Sequence, residues 1–250
     1  MRTRSTLSFL LPVLTGSFLA AAVLAAPKKK DEEKKETAPP ADPGLVCKSD
    51  FENLAPGKPP AEFLTLKGPF SVAENEGCRV LRLEGEPIDG CVIQVGSSFK
   101  GGGTIRARIR AESRRRVHPM FGLGLHGQSG FFLRIAPATR QMEIVRREEI
   151  VTSAPVEWKS GEWLWMEMTV SGSAGKWKVE GRSWAQDGAR PEAPQITTLS
   201  EEETLSGRAT LRGAQYSGHD IWFDDVEVRK EIPPALTPPE ETKAPAKTPG

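Results

Sequence analysis

The stretch TIRARIRAE, residues Thr104–Glu112, alternates apolar and charged side chains with a period of two residues. Successive side chains of a β-strand point to opposite faces of a sheet, so this period predicts a strand with one buried face and one solvated face. The isoleucines and the first alanine then point into a core, and three arginines point to solvent. These arginines are Arg106, Arg108 and Arg110.

Similar short alternating runs, separated by Gly, Pro and Ser, fill the middle of the chain, and no convincing helical stripe interrupts them. The pattern predicts an all-β fold, a two-sheet antiparallel jelly-roll sandwich, because the helices of an α/β fold are missing. The predicted strands are Arg79–Glu84, Cys91–Val95, Thr104–Glu112, Met120–Leu125, Phe131–Ala136, Met142–Arg146, Trp163–Ser171, Lys176–Trp184, Arg208–Gly213 and Ile221–Arg229.

The N-terminus has the pattern of a secretory signal peptide. Arg2 and Arg4 precede an apolar run from Leu7 to Ala25, and small residues favour cleavage before Ala26. We therefore expect residues 1–25 to be removed and the mature protein to be exported, to the periplasm, the cell surface or the outside. The apolar run is shorter than the ~20 residues that span a bilayer.

Two segments flanking the strands are charged or proline-rich and poor in apolar side chains, residues 26–44 and 231–250. Such segments cannot bury enough surface to offset the entropy of ordering, so both are predicted to be disordered tails around one domain, residues 45–230. That domain carries equal numbers of basic and acidic side chains. Bulk charge therefore gives no support for nucleic-acid binding.

The chain has three cysteines, Cys47, Cys78 and Cys91, so at most one disulfide can form within it. Cys78 and Cys91 are interpreted as flanking a hairpin without lying opposite one another, which slightly favours a bond from Cys47. An oxidising compartment permits disulfides without requiring them, so a fully reduced domain stays an equal alternative.

Several segments in order resemble the concanavalin A-like lectin/glucanase superfamily, especially laminin-G-like jelly rolls and the sandwich domain of the 3-keto-disaccharide hydrolase type. They are FENL, GPFSVAENEGCRVLRLEG, GGTIRARIR, FGLGLHGQSGFFLRI, GEWLWMEMTVSG, WKVEGRSW, SGRATLRG and IWFDDVEVRK. The resemblance implies two antiparallel sheets of about six or seven strands each, with the first and last strands adjacent. We expect Ile221–Arg229 to pair with the segment around Phe51–Leu54. The resemblance also implies a concave face that often binds carbohydrate.

Trp165 is the main candidate for contacting a ligand. Its parity is opposite to that of the apolar Met166 and Met168, so its ring is predicted on the outer surface of its sheet, with a covering loop as the alternative. His126 and Arg134 are expected on the same surface. Trp163 and Trp222 are expected in the core.

The three arginines Arg106, Arg108 and Arg110 suit sulfate or carboxylate groups, because a guanidinium can bind both oxygens of such groups. A solvated or internally paired arginine face is the alternative, since the domain is neutral overall. If the face binds an anionic glycan, added salt should weaken binding steeply.

No catalytic residue is predicted. The paired carboxylates of a retaining glucanase are absent, since the strand residues Glu162 and Glu167 have opposite parity, and no nucleophile elbow occurs. No cofactor is expected beyond one structural calcium, which the resemblance leaves open with Asp50, Asp224 and Asp225 as ligands. The alternative for the two neighbouring aspartates is hydrogen bonding to a nearby loop.

The sequence therefore favours an exported, non-catalytic module that binds carbohydrate or a cell-envelope partner. Two alternatives stay open: a glycoside hydrolase, implied only by the resemblance, and a purely structural envelope module. A row of exposed aromatic side chains on one face would favour binding, and a cleft with two facing carboxylates would favour hydrolysis.

Overall fold

The computed structural model describes residues 42–232, which fold into β-strands and connecting turns. None of these residues forms a helix long and apolar enough to cross a membrane. The predicted signal peptide and most of the two predicted tails lie outside the described residues.

The described part of the chain contains fifteen strands. They are β1 (Leu45–Ser49), β2 (Phe63–Lys67), β3 (Phe70–Asn75), β4 (Cys78–Leu83), β5 (Cys91–Lys100), β6 (Gly103–Ala111), β7 (Met120–Leu125), β8 (Phe131–Ala136), β9 (Gln141–Arg146), β10 (Glu149–Pro155), β11 (Trp163–Ser173), β12 (Lys176–Ala185), β13 (Ile196–Ser200), β14 (Ser206–Ala214) and β15 (Ile221–Lys230).

The strands form two antiparallel sheets. Sheet A has eight strands in the order β13-β12-β11-β6-β15-β4-β3, with β1 added beside β15, and sheet B has seven in the order β10-β9-β8-β7-β14-β5-β2. The prediction of an all-β, two-sheet antiparallel sandwich is confirmed. The chain crosses between sheets at β4–β5, so Cys78 and Cys91 do not flank a hairpin as expected.

The core lies between the sheets and follows the alternation seen in the sequence. Along β6 the burial strictly alternates, with Ile105, Ala107 and Ile109 fully buried and the intervening residues partly exposed. Leu123 in sheet B is fully buried in the same core cluster. Burying large aliphatic side chains contributes about 1.5–3 kcal/mol each, so these alternating strands supply much of the driving force for folding.

All ten predicted strands are present, and five more were missed: β1, β2, β3, β10 and β13. The predicted pairing of the closing strand was wrong in detail. β15 pairs with β1, with Lys48 opposite Glu227, rather than with residues 51–54. The physical reason is that Phe51 is a buried residue with a positive φ of 59°, which turns the chain away from the strand direction.

Candidate functional site

The structure brings together four of the six predicted ligand-contacting residues, on the outer face of sheet A. They are Trp165, Arg106, Arg108 and Arg110, and the register sets Trp165 opposite Arg108 across β11 and β6. Arg134 lies on β8 of sheet B and His126 in the turn between β7 and β8, so the expectation that they share the surface of Trp165 was wrong. Parity along a strand separates the two faces of one sheet but does not say which sheet the strand joins.

The ring of Trp165 is half-buried between its neighbours on both sides. Trp184 on β12 stacks against it, with ring centroids 5.9 Å apart and an interplanar angle of 15°. From β6, on the opposite side, the guanidinium groups of Arg106 and Arg108 lie 5.2 and 5.8 Å from the centroid. Both ring faces of Trp165 are therefore in contact with other side chains of the protein. Trp184 is the outer ring of this stacked pair.

Trp163 and Trp222 also lie half-buried on this outer face, so the expectation that both are core residues was wrong. In the strand register, both lie directly opposite Arg110 of β6, Trp163 on the neighbouring strand β11 and Trp222 on the neighbouring strand β15. The inward positions beside them are taken by smaller buried side chains such as Leu164 and Ile221. Trp163 contacts the guanidinium of Arg108, 5.5 Å from its centroid, and Trp222 is covered by another arginine at 5.8 Å.

A cleft of about 980 Å³ opens beside Trp184, the outer member of the stacked pair Trp165 and Trp184. Trp158, Trp163 and Trp184 line it, and we call this region the tryptophan cleft. Trp158 comes from the loop between β10 and β11 and packs on Phe121, with centroids 5.9 Å apart. The volume of the tryptophan cleft lies at the upper end of the ~300–1,000 Å³ typical of ligand sites.

The tryptophan cleft also carries polar groups at its walls. The Trp158 indole Nε1 is buried and donates to no partner within residues 42–232. His118 Nδ1 lies 2.6 Å from Ser113 Oγ, and Gln195 accepts a hydrogen bond of 2.6 Å from the backbone of Ser183. The cleft therefore combines apolar rings with hydrogen-bonding groups, a mixture that fixes both the contact area and the orientation of a ligand.

Sequence reasoning missed Trp158 because it lies in a loop, where alternation assigns no face. The position of Trp184 on the outer face of its sheet can be predicted from the sequence, because its parity in β12 is opposite to that of the buried Val179.

The arginines of the outer face are paired with carboxylates, as the alternative of an internally paired face predicted. Arg106 lies 3.4 Å from Glu227, and Arg110 lies 2.7 Å from Glu76. Arg108 contacts both Asp224 and Asp225, at 2.6 and 2.5 Å. Further along the face, buried Glu167 contacts Arg182 and Arg190. Because these guanidinium groups already have counter-ions, the face presents little uncompensated positive charge to an anionic glycan.

The carboxylates of Asp224 and Asp225 both bind the guanidinium of Arg108, so they do not form an open cation site. Asp50 is exposed, and its Oδ1 accepts a hydrogen bond of 3.2 Å from the backbone of Glu52. Among residues 42–232, no group of three or more His, Cys, Asp or Glu side chains is arranged to hold a metal ion. Burial raises the pKa of Asp224 to about 6, and the nearby Asp225 charge adds to this, while the Arg108 guanidinium acts in the opposite direction.

His126 and Arg134 are held by contacts within sheet B and its loops. His126 is buried, its Nε2 lies 2.8 Å from the carbonyl oxygen of Gly101, and its ring edge meets Phe99 at 5.4 Å. Burial lowers the pKa of His126. Arg134 donates from Nε to Glu143 at 2.6 Å. The first of these residues therefore anchors the glycine turn before β6 from inside the protein.

All three cysteines are free thiols in the structure. Cys47 and Cys91 are buried on opposite sheets, and Cys78 is exposed. Burial raises the pKa of Cys47 to about 11. Of the two alternatives left by the sequence, the structure has the reduced one.

No protein-family model matches the sequence, and no curated protein sequence matches it. Solved structures are similar at the level of the fold. Lectin II from Ulex europaeus aligns with a TM-score of 0.51 at 10% identity, covering 75% of this chain and 100% of the lectin. A Bacillus subtilis protein of unknown function with a galectin-like fold aligns with a TM-score of 0.51 at 8% identity, covering 75% of this chain and 96% of that one.

The xyloglucan PUL GH43B of Bacteroides ovatus aligns with a TM-score of 0.52 at 15% identity, covering 75% of this chain and 39% of that protein. Together with the two antiparallel sheets, these similarities show that the chain has a concanavalin A-like jelly-roll fold. At such low identities they show the fold alone.

Proposed function

We propose that this protein is a non-catalytic carbohydrate-binding module, and that it binds a neutral glycan in the tryptophan cleft. The observation that carries the proposal is the convergence of Trp158, Trp163 and Trp184 on one cleft. One face of a pyranose ring presents mostly C–H groups, so it packs on an indole while its hydroxyls reach polar groups at the rim. The lectin among the similar structures is consistent with a glycan as ligand.

The charge arrangement favours a neutral glycan over an anionic one at this site. Two acidic side chains, Glu157 and Glu162, line the cleft together with two basic ones, Arg140 and Lys159, and Lys159 lies 3.6 Å from Glu162. The lining therefore presents no excess of positive charge that would attract an anionic ligand. A neutral oligosaccharide needs no cationic partner.

We infer from residues 1–25 that the protein is exported, which would place this module where extracellular or envelope glycans occur. Detection of a mature chain beginning at Ala26 outside the cytoplasm would support export, and a full-length chain retained in the cytoplasm would contradict it.

Screening the protein on an array of neutral oligosaccharides tests the binding proposal. We expect binding to at least one family of neutral glycans, with an affinity that changes little when salt is raised well above 0.1 M, where the screening length is already ~10 Å. Failure to bind any neutral glycan would overturn the proposal.

A further inference from the structure

The outer face of sheet B carries a second cavity, unrelated to the tryptophan cleft. Its volume is about 210 Å³, and Arg134 and Arg212 both line it. In the register of the sheet, Gly122 of β7 lies directly between these two arginines, which come from β8 and β14. The two strands are therefore about 10 Å apart, two strand spacings, with no side chain between the arginines.

The glycine between the arginines is required by the backbone. A Cβ atom at Gly122 would come within 2.0 Å of the carbonyl oxygen of Leu133. No other residue fits without moving β8, so the gap between the arginines is a built feature of the sheet. We call this region the sheet B pocket.

The two arginines differ in their electrical environment. Arg134 is neutralised by Glu143, at 2.6 Å. Arg212 makes no salt bridge within residues 42–232: its Nη2 donates to the carbonyl oxygen of Gly127 at 2.9 Å, its Nε donates to Thr210 Oγ1 at 3.4 Å, and its guanidinium stacks on Phe132 at 4.9 Å. Burial lowers the pKa of Arg212, and the charge of Glu148 acts in the opposite direction. A desolvated guanidinium that no salt bridge neutralises is costly, so an anion that reaches it in the cavity would be bound favourably.

The lining also contains polar groups that can bind hydroxyls, set among apolar residues such as Val92 and Val145. Asp89 lies at the rim, where its Oδ1 accepts a hydrogen bond of 2.6 Å from the hydroxyl of Tyr216, and Gln128 and Glu148 also line the cavity. Exposed Arg147 adds a further positive charge at the rim. A cluster of carboxylates beside one unpaired guanidinium disfavours a compact multiply charged anion, but it suits a ligand with one carboxylate and several hydroxyls.

We propose that the sheet B pocket binds a single hexuronic acid residue, whose carboxylate pairs with Arg212 and whose hydroxyls donate to the rim carboxylates. The volume allows one sugar ring rather than an oligosaccharide. The site is separate from the tryptophan cleft, so it stands or fails independently of the proposed function. The ligand class also differs, with a charged ring here and a neutral glycan there.

A titration of the isotope-labelled protein with D-galacturonate and D-glucuronate tests the proposal, followed by NMR at the Arg212 side-chain Nε–H. The matched neutral probe is methyl galacturonate ester, which keeps the ring and hydroxyls but removes the charge. We expect shifts with at least one of the two acids and none with the ester. Arg212→Met should weaken binding by about 10- to 100-fold, the loss of one charge-assisted hydrogen-bonded pair.

Two further variants make the result interpretable. Arg116→Met removes an exposed arginine outside the pocket and should leave the affinity unchanged. Val92→Phe fills the cavity from its wall and keeps Arg212, so it should also abolish binding even if Arg212→Met does not fold. Equal binding of acid and ester, unchanged binding in both pocket variants, or no binding of either acid would each overturn the proposal. Loss of neutral-glycan binding in a cleft variant would not affect it.

Discussion

Asp224 gives the outer face of sheet A a predictable dependence on pH. Its side chain is 5% exposed, and burial raises its pKa from the ordinary value of 3.8 to about 6. The hydrogen bond from the Asp225 backbone and the Arg108 guanidinium oppose that change without cancelling it. The difference between the two pKa values corresponds to up to about 3 kcal/mol of folding free energy.

The sign follows from which state binds the proton more tightly. Because the folded-state pKa is the higher one, protonated Asp224 favours the folded state, and this contribution is fully present below 3.8 and is lost as the pH rises through about 6. Asp224→Asn removes the titration but leaves the other carboxylates in place. The stability of the wild type relative to the variant should therefore fall by up to about 3 kcal/mol across this range.

Urea unfolding of both proteins at a series of pH values from about 4 to about 7.5 measures this difference directly. Taking the difference cancels the titration of groups that the two proteins share. A constant difference would refute the reasoning. A difference that grows in favour of the wild type with rising pH would show that attraction to Arg108 outweighs burial.

Three further changes test the packing that the structure shows. Trp165→Ala should destabilise the fold by about 1–3 kcal/mol, because it removes the ring stack and two cation–π contacts, and thermal unfolding would show no loss if the ring were free. Gly122→Ala should cost about 1–3 kcal/mol or abolish folding, because its Cβ would collide with Leu133, and wild-type stability in that variant would contradict the geometry. A thiol reagent should label one cysteine, Cys78, in the native protein and all three after unfolding without reductant, whereas one reactive thiol after unfolding would indicate a disulfide.

The fold could be predicted from the sequence because the central strands alternate cleanly. In β6 the apolar positions Ile105, Ala107 and Ile109 are buried, and in β7 Phe121, Leu123 and Leu125 are buried at the same spacing of two, so composition and period suffice to place both strands in a sandwich. The missed strands lack this signal. β10 exposes Ile150 and Val151 at the edge of sheet B, and β13 exposes Leu199 at the edge of sheet A, so burial does not enforce a regular pattern there.

The candidate site was only partly predictable, for a physical reason. Parity placed Trp165 and the three arginines correctly on an outer face. It could not show that side chains of neighbouring strands and loops would already contact the indole ring and neutralise the guanidinium groups. The partner of each side chain depends on strand order, which is a long-range property. Trp184 and Trp158 reach one cleft only because β12 follows β11 in sheet A and a loop folds over the end of the sandwich.

The most direct test of the central claim compares two tryptophans on the same face of sheet A. Trp184→Ala removes a wall of the cleft, and Trp222→Ala removes a half-buried ring that lies outside it. Calorimetric titration of both variants with the neutral glycan that binds the wild type should show affinity lost by at least about 10-fold in the first and unchanged in the second. Equal affinity in the two variants would contradict the assignment of the cleft as the glycan site.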